Sequence, residues 1–388
     1  MRHVFIIGSK GIPAAYGGFE SFVDQLVQHQ KEKDIQYHVA CMNSEQSEFF
    51  YHGAHCFSVK VPQIGPAKAV YYDLAAFRYC LHYIRKHDCQ NAIVYVLACR
   101  IGPFIAGFKR QLKKYSGILY VNPDGHEWMR SKWNAAIKKY WKLSERLMVK
   151  AADLLICDSQ NIESYICKEY KKYQPMTTYI AYGAKVCEND GNCAQAEKKY
   201  ADWLEEQGVK SEEYYLIVGR FVPENNYELM ISEFMKSETK KELVIVTNVE
   251  KNKFYTQLQN KTKFESDSRI KFVGTVYDTE LLEEIRKGAI AYLHGHSVGG
   301  TNPSLLEAMA QTQVNLLYDV GFNREVAEES ALYFGRESGS LVRAMQQVEG
   351  LNGQERSEWG DKAKQRVKEA FSHERITSMY EQIFMREN

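Results

Sequence analysis

The chain has 388 residues, which is too long for one ordinary hydrophobic core and predicts two domains. Hydrophobic residues form 45% of it and charged residues 26%, so extensive disorder is excluded. Residues 1–180 carry 24 basic and 15 acidic side chains, whereas residues 181–388 carry 26 and 34. The basic first half predicts contact with a polyanionic surface, either nucleic acid or anionic lipid.

Membrane-spanning and secreted proteins are disfavoured. No run reaches the roughly 18 consecutive apolar residues of a spanning helix, and the apolar residues 4–8 are too few for a signal peptide. The nine cysteines are scattered without a Cys-x-x-Cys pair, which favours reduced, buried thiols over zinc or disulfide roles. We therefore expect a cytoplasmic protein.

Short β-branched runs alternate with longer helical patterns in the first half, which is typical of a parallel sheet with helices on both faces. The predicted strands are residues 4–8, 37–41, 92–97, 118–122, 153–157 and 177–181. The predicted helices are residues 19–30, 67–85, 103–114, 132–150 and 161–171. Hydrophobic periodicity lapses over residues 186–193, where we place the interdomain linker.

The second half repeats this rhythm. Its predicted strands are residues 215–218, 243–247, 270–273, 290–293 and 314–318. Its predicted helices lie near residues 226–235, 280–287, 303–310 and 372–386. The pattern predicts two doubly wound α/β domains, each with a ligand crevice at the carboxyl ends of its strands.

A first glycine-rich loop follows the first predicted strand. Gly17 and Gly18 stand directly before a predicted helix, where backbone N–H groups and the helix dipole attract an anion. The dinucleotide fingerprint Gly-x-Gly-x-x-Gly is absent, which disfavours a nicotinamide dehydrogenase. A plain tight turn is the alternative for this loop.

Two motifs in the second half also favour an anionic ligand. Arg220 ends a predicted strand and offers a five-donor fork suited to a diphosphate, although a structural salt bridge is the alternative. A second glycine-rich loop precedes Asn302, a candidate helix cap, and Glu307 follows within about one and a half turns. Two histidines at residues 294 and 296 do not complete a metal-ligand set.

The three motifs together resemble family 4 glycosyltransferases of the GT-B fold, which has two Rossmann-like doubly wound domains facing a central cleft. They read Gly-Gly-Phe-Glu at 17–20, Val-Gly-Arg-Phe-Val-Pro-Glu-Asn-Asn at 218–226 and Gly-Gly-Thr-Asn-Pro-Ser-Leu-Leu-Glu-Ala-Met at 299–309. The resemblance implies an acceptor-binding domain over residues 1–185 and a nucleotide-sugar donor-binding domain over 194–371. It also implies that a final helix, 372–388, packs back on the first domain.

More narrowly, the chain is similar to bacterial β-1,4-rhamnosyltransferases of streptococcal cell-wall and capsule polysaccharide assembly. This implies a retaining enzyme that moves L-rhamnose from dTDP-rhamnose to a polyprenyl-diphosphate-linked GlcNAc or Glc, without cofactor or metal. The expected partners are the nucleotide sugar, the lipid-linked acceptor and the anionic inner face of the cell membrane, and not nucleic acid. A transferase using UDP-glucose or UDP-galactose and a sugar-nucleotide 2-epimerase of the same fold are the alternatives.

The resemblance also assigns residue roles. It implies that Arg220 contacts the donor diphosphate, Glu307 the ribose and Val276 the vicinity of the base, while Gly17 and Gly18 close over the phosphates. The further donor-binding residues that it implies are Asn225, His296, Gly299, Gly300, Thr301, Asn302 and Ser304.

This sequence departs from the wider family at two of these positions. Most members have a lysine where Asn225 stands and a glutamate where Gly299 stands. The missing cation leaves more of the diphosphate charge to Arg220 and the loop amides. The missing carboxylate fits a deoxysugar donor such as dTDP-rhamnose.

Residues 124–127 follow a strand of the first half and are therefore expected at the same edge of the sheet as the ligand. Asp124 is the favoured group for orienting the acceptor hydroxyl, and His126 and Glu127 are further candidates, with helix capping as the alternative role of Asp124. A retaining enzyme of this fold is expected to pass the acceptor proton to the departing phosphate oxygen, so that no protein base is strictly required.

A basic stripe in the first half predicts the membrane face. Lys138, Lys142, Arg146 and Lys150 recur at i, i+4 spacing, and Trp133 begins a neighbouring apolar path. Such a helix suits an anionic interface. The alternative is a solvated helix whose apolar side is simply core.

Overall fold

The computed structural model describes residues 1–14, 17–43, 47–130, 133–186, 193–249 and 251–386, without the side chains of Pro66 and Cys193. The chain divides into two compact units. The first unit comprises Met1–Gly183 and His373–Asn388, and the second comprises Ala184–Ser372. Most of the predicted linker, 187–192, lies outside the described residues.

The first unit contains an eight-stranded sheet with helices α1–α5. Its strands are β1 (Arg2–Ile7), β2 (Ile35–Asn43), β3 (Glu48–Tyr51), β4 (Ala54–Lys60), β5 (Ile93–Leu97), β6 (Ile118–Asn122), β7 (Leu154–Cys157) and β8 (Thr177–Tyr179). Its helices are α1 (Gly18–Gln28), α2 (Lys68–His87), α3 (Gly102–Leu112), α4 (Ala135–Ala151) and α5 (Gln160–Glu169).

The strand order of the first sheet is β3-β4-β2-β1-β5-β6-β7-β8. Central strands β1 and β5 are almost continuous apolar runs, as expected of parallel strands covered on both faces. Because the order reverses between β1 and β5, the topological switch point lies at their carboxyl ends.

Strands β3 and β4 form a hairpin that the sequence analysis did not predict. Its two-residue loop, His52 and Gly53, has φ angles of 47° and 82°. Positive φ at both positions is typical of the type I′ turn, whose twist matches that of the flanking strands. The antiparallel β3 extends the sheet at the edge beside β4.

The second unit contains a six-stranded parallel sheet in the order β11-β10-β9-β12-β13-β14. Its strands are β9 (Tyr214–Val218), β10 (Glu242–Val246), β11 (Ile270–Phe272), β12 (Ala291–His294), β13 (Asn315–Tyr318) and β14 (Leu332–Phe334). Its helices are α6 (Cys193–Gln207), α7 (Tyr227–Lys236), α8 (Lys253–Thr262), α9 (Thr279–Lys287), α10 (Pro303–Gln311), α11 (Gly321–Ala327), α12 (Ser340–Gly350) and α13 (Gly353–Phe371). The switch point of this sheet lies between β9 and β12.

The last helix, α14 (His373–Phe384), packs in the first unit. The guanidinium of Arg2 donates to the carbonyl oxygens of Phe384 at 3.1 Å and Arg386 at 2.6 Å. The Glu381 carboxylate accepts the backbone N–H of Lys31 at 2.8 Å. Hydrogen bonds therefore join the two ends of the chain. No helix in the described ranges is long and apolar enough to cross a bilayer.

Candidate functional site

In the second unit, the loops after β9 and β12 meet at the switch point. These two strands pair directly, so their carboxyl ends are adjacent. The Asn226 amide donates to the Gly295 carbonyl at 2.8 Å, and the Ser297 hydroxyl donates to the Glu224 carbonyl at 2.8 Å. The arginine motif and the second glycine-rich motif therefore form one site.

Arg220 is exposed at this site, and no carboxylate among the described residues pairs with it. The structural salt bridge considered as its alternative role is therefore not observed in that part of the chain. Its backbone is held by Asn225, whose side-chain amide donates to the Arg220 carbonyl at 2.8 Å. Asn225 is 5% exposed, so a buried side chain holds the backbone of the exposed Arg220. An exposed guanidinium without a counter-charge is suited to bind an anion.

The start of α10 adds backbone donors to the same site. Asn302 caps the helix, as predicted, by accepting the Ser304 N–H at 2.9 Å, and Pro303 occupies the first turn. The Ser304 hydroxyl bonds to the Tyr292 hydroxyl at 3.1 Å and is used within the protein. Gly299 and Gly300 stand in the half-buried loop before the cap, followed by the buried Thr301. Helix starts of this kind attract negative charge.

Two histidines lie behind Arg220. The rings of His294 and His296 are stacked with centroids 4.2 Å apart. Burial, with the Arg220 charge, lowers the pKa of His296 to about 3, so this ring is neutral at physiological pH. Within the described ranges no three His, Cys, Asp or Glu side chains form a metal-binding group. Because His296 is neutral, the positive charge at this loop comes from Arg220.

Glu307 is held by a partner that the sequence analysis missed. Its Oε2 accepts from the Arg286 guanidinium at 2.5 Å, and Gln311 accepts from the same guanidinium at 3.2 Å. Arg286 is buried, whereas the Glu307 side chain is 44% exposed. Oε1 of Glu307 makes no hydrogen bond with a described residue. One carboxylate oxygen is thus fixed and the other is available to a ligand.

A cavity of about 320 Å³ lies at the carboxyl ends of β10 and β11. Its lining residues are Thr247, Asn248, Val249, Lys251, Tyr255, Phe272 and Gly274. Val276, expected near a base, is half-buried two residues beyond this lining. Tyr255 and Phe272 offer aromatic surface to a planar heterocycle, and Lys251 adds a cation to the lining.

At the first glycine-rich loop the protein places a carboxylate of its own at the helix start. Gly18 begins α1, but the Glu20 carboxylate lies against Gly17 and accepts the Lys10 N–H at 2.7 Å. The protein thus supplies a negative charge at this helix start, which disfavours a phosphate in the same place. Tyr16, which directly precedes Gly17, lies outside the described residues.

Asp124 and His126 follow β6 in a turn where both have positive φ angles. Asp124 is half-buried and accepts the Gly125 N–H at 2.8 Å, so it stabilises its own loop and caps no helix. Arg130 lies 3.9 Å from its carboxylate. His126 packs on Tyr165 with centroids 4.1 Å apart, and burial lowers the pKa of this imidazole. Both contacts of Asp124 use Oδ1, so Oδ2, which bonds to no described residue, can accept a hydrogen bond from a hydroxyl.

The predicted basic stripe on α4 does not form one face. Successive i, i+4 positions of a helix are offset by about 40°, so a long stripe turns away from its starting face. Lys142 points into an internal network, 3.0 Å from Glu169 and 4.6 Å from the Trp128 ring centroid. Trp133 precedes the helix and donates to Glu127 at 2.9 Å. The residues of α4 that are exposed beyond its first turn are Lys139, Leu143, Arg146 and Lys150; Lys138 is half-buried.

Each unit matches a family model. Residues 1–185 match a domain of unknown function, DUF1972. Residues 201–366 match the model described as glycosyl transferases group 1. No curated protein sequence matches the chain.

Solved structures match over the whole length. Sucrose-phosphate synthase from Thermosynechococcus elongatus has a TM-score of 0.77 at 17% identity, covering 99% of this chain and 98% of that one. Alpha,alpha-trehalose 6-phosphate synthase from Burkholderia multivorans has a TM-score of 0.72 at 10% identity, with coverage of 99% and 98%. Anabaena HepE in complex with UDP has a TM-score of 0.68 at 12% identity, with 99% coverage of both chains. At such identities the likeness concerns the fold, and the expected GT-B architecture of two Rossmann-like units is confirmed.

Proposed function

We propose that this chain, a glycosyltransferase whose second unit carries a group 1 domain, transfers L-rhamnose from dTDP-rhamnose to a polyprenyl-diphosphate-linked GlcNAc or Glc. The transfer retains the configuration of the sugar and serves cell-wall or capsular polysaccharide biosynthesis. The enzyme acts at the inner face of the cell membrane, where its acceptor is anchored.

One observation carries the proposed donor site. The exposed, unpaired guanidinium of Arg220 stands beside the amide-rich start of α10, at the switch point between β9 and β12. A nucleoside diphosphate placed there meets a fixed cation and backbone donors together. The free oxygen of Glu307 then bonds a ribose hydroxyl, and the base occupies the cavity beyond β10 and β11.

The reaction uses positioning and charge stabilisation. As the bond between the sugar and the diphosphate breaks, negative charge grows on the leaving phosphate oxygens, and Arg220 with the α10 amides stabilises it. The acceptor hydroxyl, oriented by Asp124, attacks the same sugar carbon and passes its proton to the departing phosphate. No protein base is needed in this scheme.

The loop at Gly299 supports a deoxysugar donor. No side chain projects at this position, and a carbon added to Gly299 would meet no atom within 4 Å. A carboxylate in this place would accept hydrogen bonds from sugar hydroxyls. Without such a carboxylate, the site has one group fewer that would favour a fully hydroxylated hexose.

The packed helices α3 and α4 support the lipid-linked acceptor. Together they expose Phe104 at 49% and Leu143 at 41%, with the exposed cations Lys139, Arg146 and Lys150 on α4. Apolar side chains among cations suit an anionic lipid surface. We call these five residues the α3–α4 outer surface.

A donor panel tests the function. The protein is incubated with a synthetic polyprenyl-diphosphate GlcNAc and, separately, dTDP-rhamnose, UDP-glucose or UDP-galactose, and the consumed donor and the product are identified by mass spectrometry. Transfer of rhamnose is expected, whereas exclusive use of a UDP-hexose overturns the donor assignment. Epimerisation of a sugar nucleotide without acceptor overturns the transfer reaction.

Replacement of Arg220 tests the donor site itself. Arg220→Ala is expected to lower kcat/KM at least 100-fold, whereas Arg343→Ala, an exposed arginine on α12, leaves it unchanged. An Arg220→Ala rate near that of the wild type contradicts the site.

A further inference from the structure

Arg100 occupies the switch point of the first sheet. Its Nη1 donates to the carbonyl oxygen of Gly8 at 2.7 Å and to that of Leu97 at 3.3 Å. Gly8 directly follows β1, and Leu97 is the last residue of β5. One guanidinium therefore joins the carboxyl ends of the two strands between which the order of the sheet reverses.

A buried carboxylate orients this guanidinium. Asp73, on α2, has an exposed fraction of 0% and lies 3.2 Å from Nη1 of Arg100. Among the described residues Arg100 is the one cation that pairs with it. The backbone carbonyl of Arg100 accepts the Tyr140 hydroxyl of α4 at 2.8 Å, which fixes the same segment from another side.

The contact leaves little freedom to the glycine-rich loop that follows β1. Gly8 has a φ of 100°, and a carbon added to it would lie 2.3 Å from the Leu97 carbonyl oxygen. Only glycine permits this approach of the two strand ends. Arg100 then fixes the direction of the Gly8 carbonyl, from which the chain runs through Lys10 to the start of α1.

The turn after β6 begins beside the end of β5, where Arg100 lies, because the Ala98 N–H donates to the Asn122 carbonyl at 3.0 Å. The guanidinium of Arg100 donates to described residues through Nη1, and neither its Nε nor its Nη2 bonds to one. The carboxylates of Asp124 and Glu127, like that of Asp73, raise the pKa of the guanidinium. The charge of Arg100 thus lies between the glycine-rich loop and the turn that holds Asp124.

We propose that Arg100, oriented by Asp73, is a positioning residue that sets the glycine-rich loop and the Asp124 turn for attack by the acceptor hydroxyl. The proposal rests on the proposed transfer reaction. It places the effect on the acceptor step and not on nucleotide binding, because every contact of the pair lies in the first unit.

The first test compares conservative variants. Arg100→Lys keeps the charge but loses the fork, and Asp73→Asn keeps the shape but loses the charge. Each is expected to lower kcat for transfer at least tenfold, while the KM for the nucleotide sugar and the Kd for dTDP by calorimetry change less than twofold. Asp153→Asn, which breaks the Lys109 pair beside the amino end of β7 in the same sheet, is the matched control and leaves kcat unchanged.

A double variant separates positioning from stability. Asp73→Leu with Arg100→Met removes both charges of the pair and is expected to fold, since no unpaired charge remains. Its thermal midpoint is expected within a few degrees of the wild type, while transfer stays at least tenfold slower. Wild-type transfer by this folded double variant, or by Arg100→Lys, overturns the proposal.

The pH profile gives a further readout. Burial raises the pKa of Asp73 to about 6 against the opposing effect of Arg100. Below that pH the carboxyl is neutral and holds the guanidinium less firmly, so kcat is expected to rise with pH through about 6. The charged or titratable groups near the pair are Glu20, Cys41, Tyr72, Cys99, Asp124, Glu127 and Tyr140.

In Asp73→Asn this rise of kcat with pH is expected to be absent. A rise that persists in the variant contradicts the role of Asp73. Failure of this proposal is distinct from failure of the transfer reaction. The Arg220→Ala comparison tests donor use independently of Arg100, and it is run on the same donor and acceptor.

Discussion

The side-chain amide of Asn225 donates to the carbonyl oxygen of Arg220 over 2.8 Å, so a buried amide holds the backbone beneath an exposed guanidinium. The wider family resembled by the sequence has a lysine at this position. Here the position contributes no cation to a ligand, and the amide acts through Arg220. The loop therefore depends on a neutral donor whose loss leaves the Arg220 carbonyl with the Val222 N–H, at 2.9 Å, as its remaining donor among the described residues.

Asn225→Asp tests this dependence. The carboxylate has nearly the same shape but cannot donate to a carbonyl, and the two oxygens repel each other. We expect kcat/KM for transfer to fall about 10–100-fold, since misplacing a positioning group typically costs about that much. Asn134→Asp, at an exposed helix cap where the side chain only accepts, is the control and keeps full activity. Equal activity of both variants contradicts the role of Asn225.

The Arg286–Glu307 pair predicts a separable effect on stability. Glu307→Leu leaves the buried Arg286 unpaired and is expected to lower the free energy of unfolding by about 2 kcal/mol. This is less than the ~3–5 kcal/mol of a fully buried pair because Glu307 is 44% exposed. Urea unfolding followed by circular dichroism measures it.

Adding Arg286→Met to Glu307→Leu removes the unpaired charge. Stability is then expected to return to within about 1 kcal/mol of the wild type, while nucleotide binding stays weak because the ribose contact is lost. Restored nucleotide affinity in the double variant contradicts a ligand role for Glu307.

A row of histidines in the first sheet predicts sensitivity to acid. His38 bonds to His3 and to His55, each at 2.9 Å, and His55 lies 3.3 Å from Glu48. An ionised Glu48 only accepts, so one pattern of donors runs from His3 through His38 and His55 to the carboxylate. Burial is the largest cause that lowers the pKa of His38, to about 2.

Because the pKa of His38 is lower in the folded chain, the unfolded chain binds more protons below pH 6.5. Stability is then present above that pH and falls as pH drops from 6.5 towards 2, by about 1.4 kcal/mol per unit. His38→Gln is expected to lose about 2 kcal/mol less than the wild type between pH 7 and 5. His82→Gln, at an exposed position, keeps the wild-type slope, and an unchanged slope in His38→Gln contradicts the assignment.

Vesicle binding distinguishes the α3–α4 outer surface from the stripe expected from the sequence. Arg146→Gln is expected to weaken binding to phosphatidylglycerol vesicles about fivefold, the equivalent of about 1 kcal/mol per cation. Lys142→Gln is expected to leave binding unchanged but to destabilise the protein, because Lys142 pairs with Glu145 and Glu169. If Lys142→Gln weakens vesicle binding more than Arg146→Gln in a flotation assay, the α3–α4 outer surface is not the membrane-binding surface.

Sequence reasoning succeeded where a pattern is local. Strands β1 and β5 are predictable because burial on both faces demands continuous apolar runs, and Asn302 because a cap lies beside the residues it serves. The β3–β4 hairpin escaped because its strands are short and its signal is the pair His52 and Gly53.

Partners distant in the sequence were not predictable. Arg100 meets Asp73, 27 residues away, and Arg286 meets Glu307, 21 residues away, only because the fold brings together the segments that carry them. Lys142 was misplaced for a related reason. Spacing alone does not reveal that Trp128 and Glu169 lie where its side chain ends.

The return of α14 to the first unit bears on how the protein is made. This helix follows the whole second unit in the chain, so the bonds of Arg2 to the carbonyls of Phe384 and Arg386 form only after residues 184–372 have been synthesised. Until then, the first unit lacks its last helix, whereas all the strands of the second unit have already been synthesised. A gene cut after codon 185 would encode an incomplete lobe, whereas a circular permutant that begins at His373 would restore continuity.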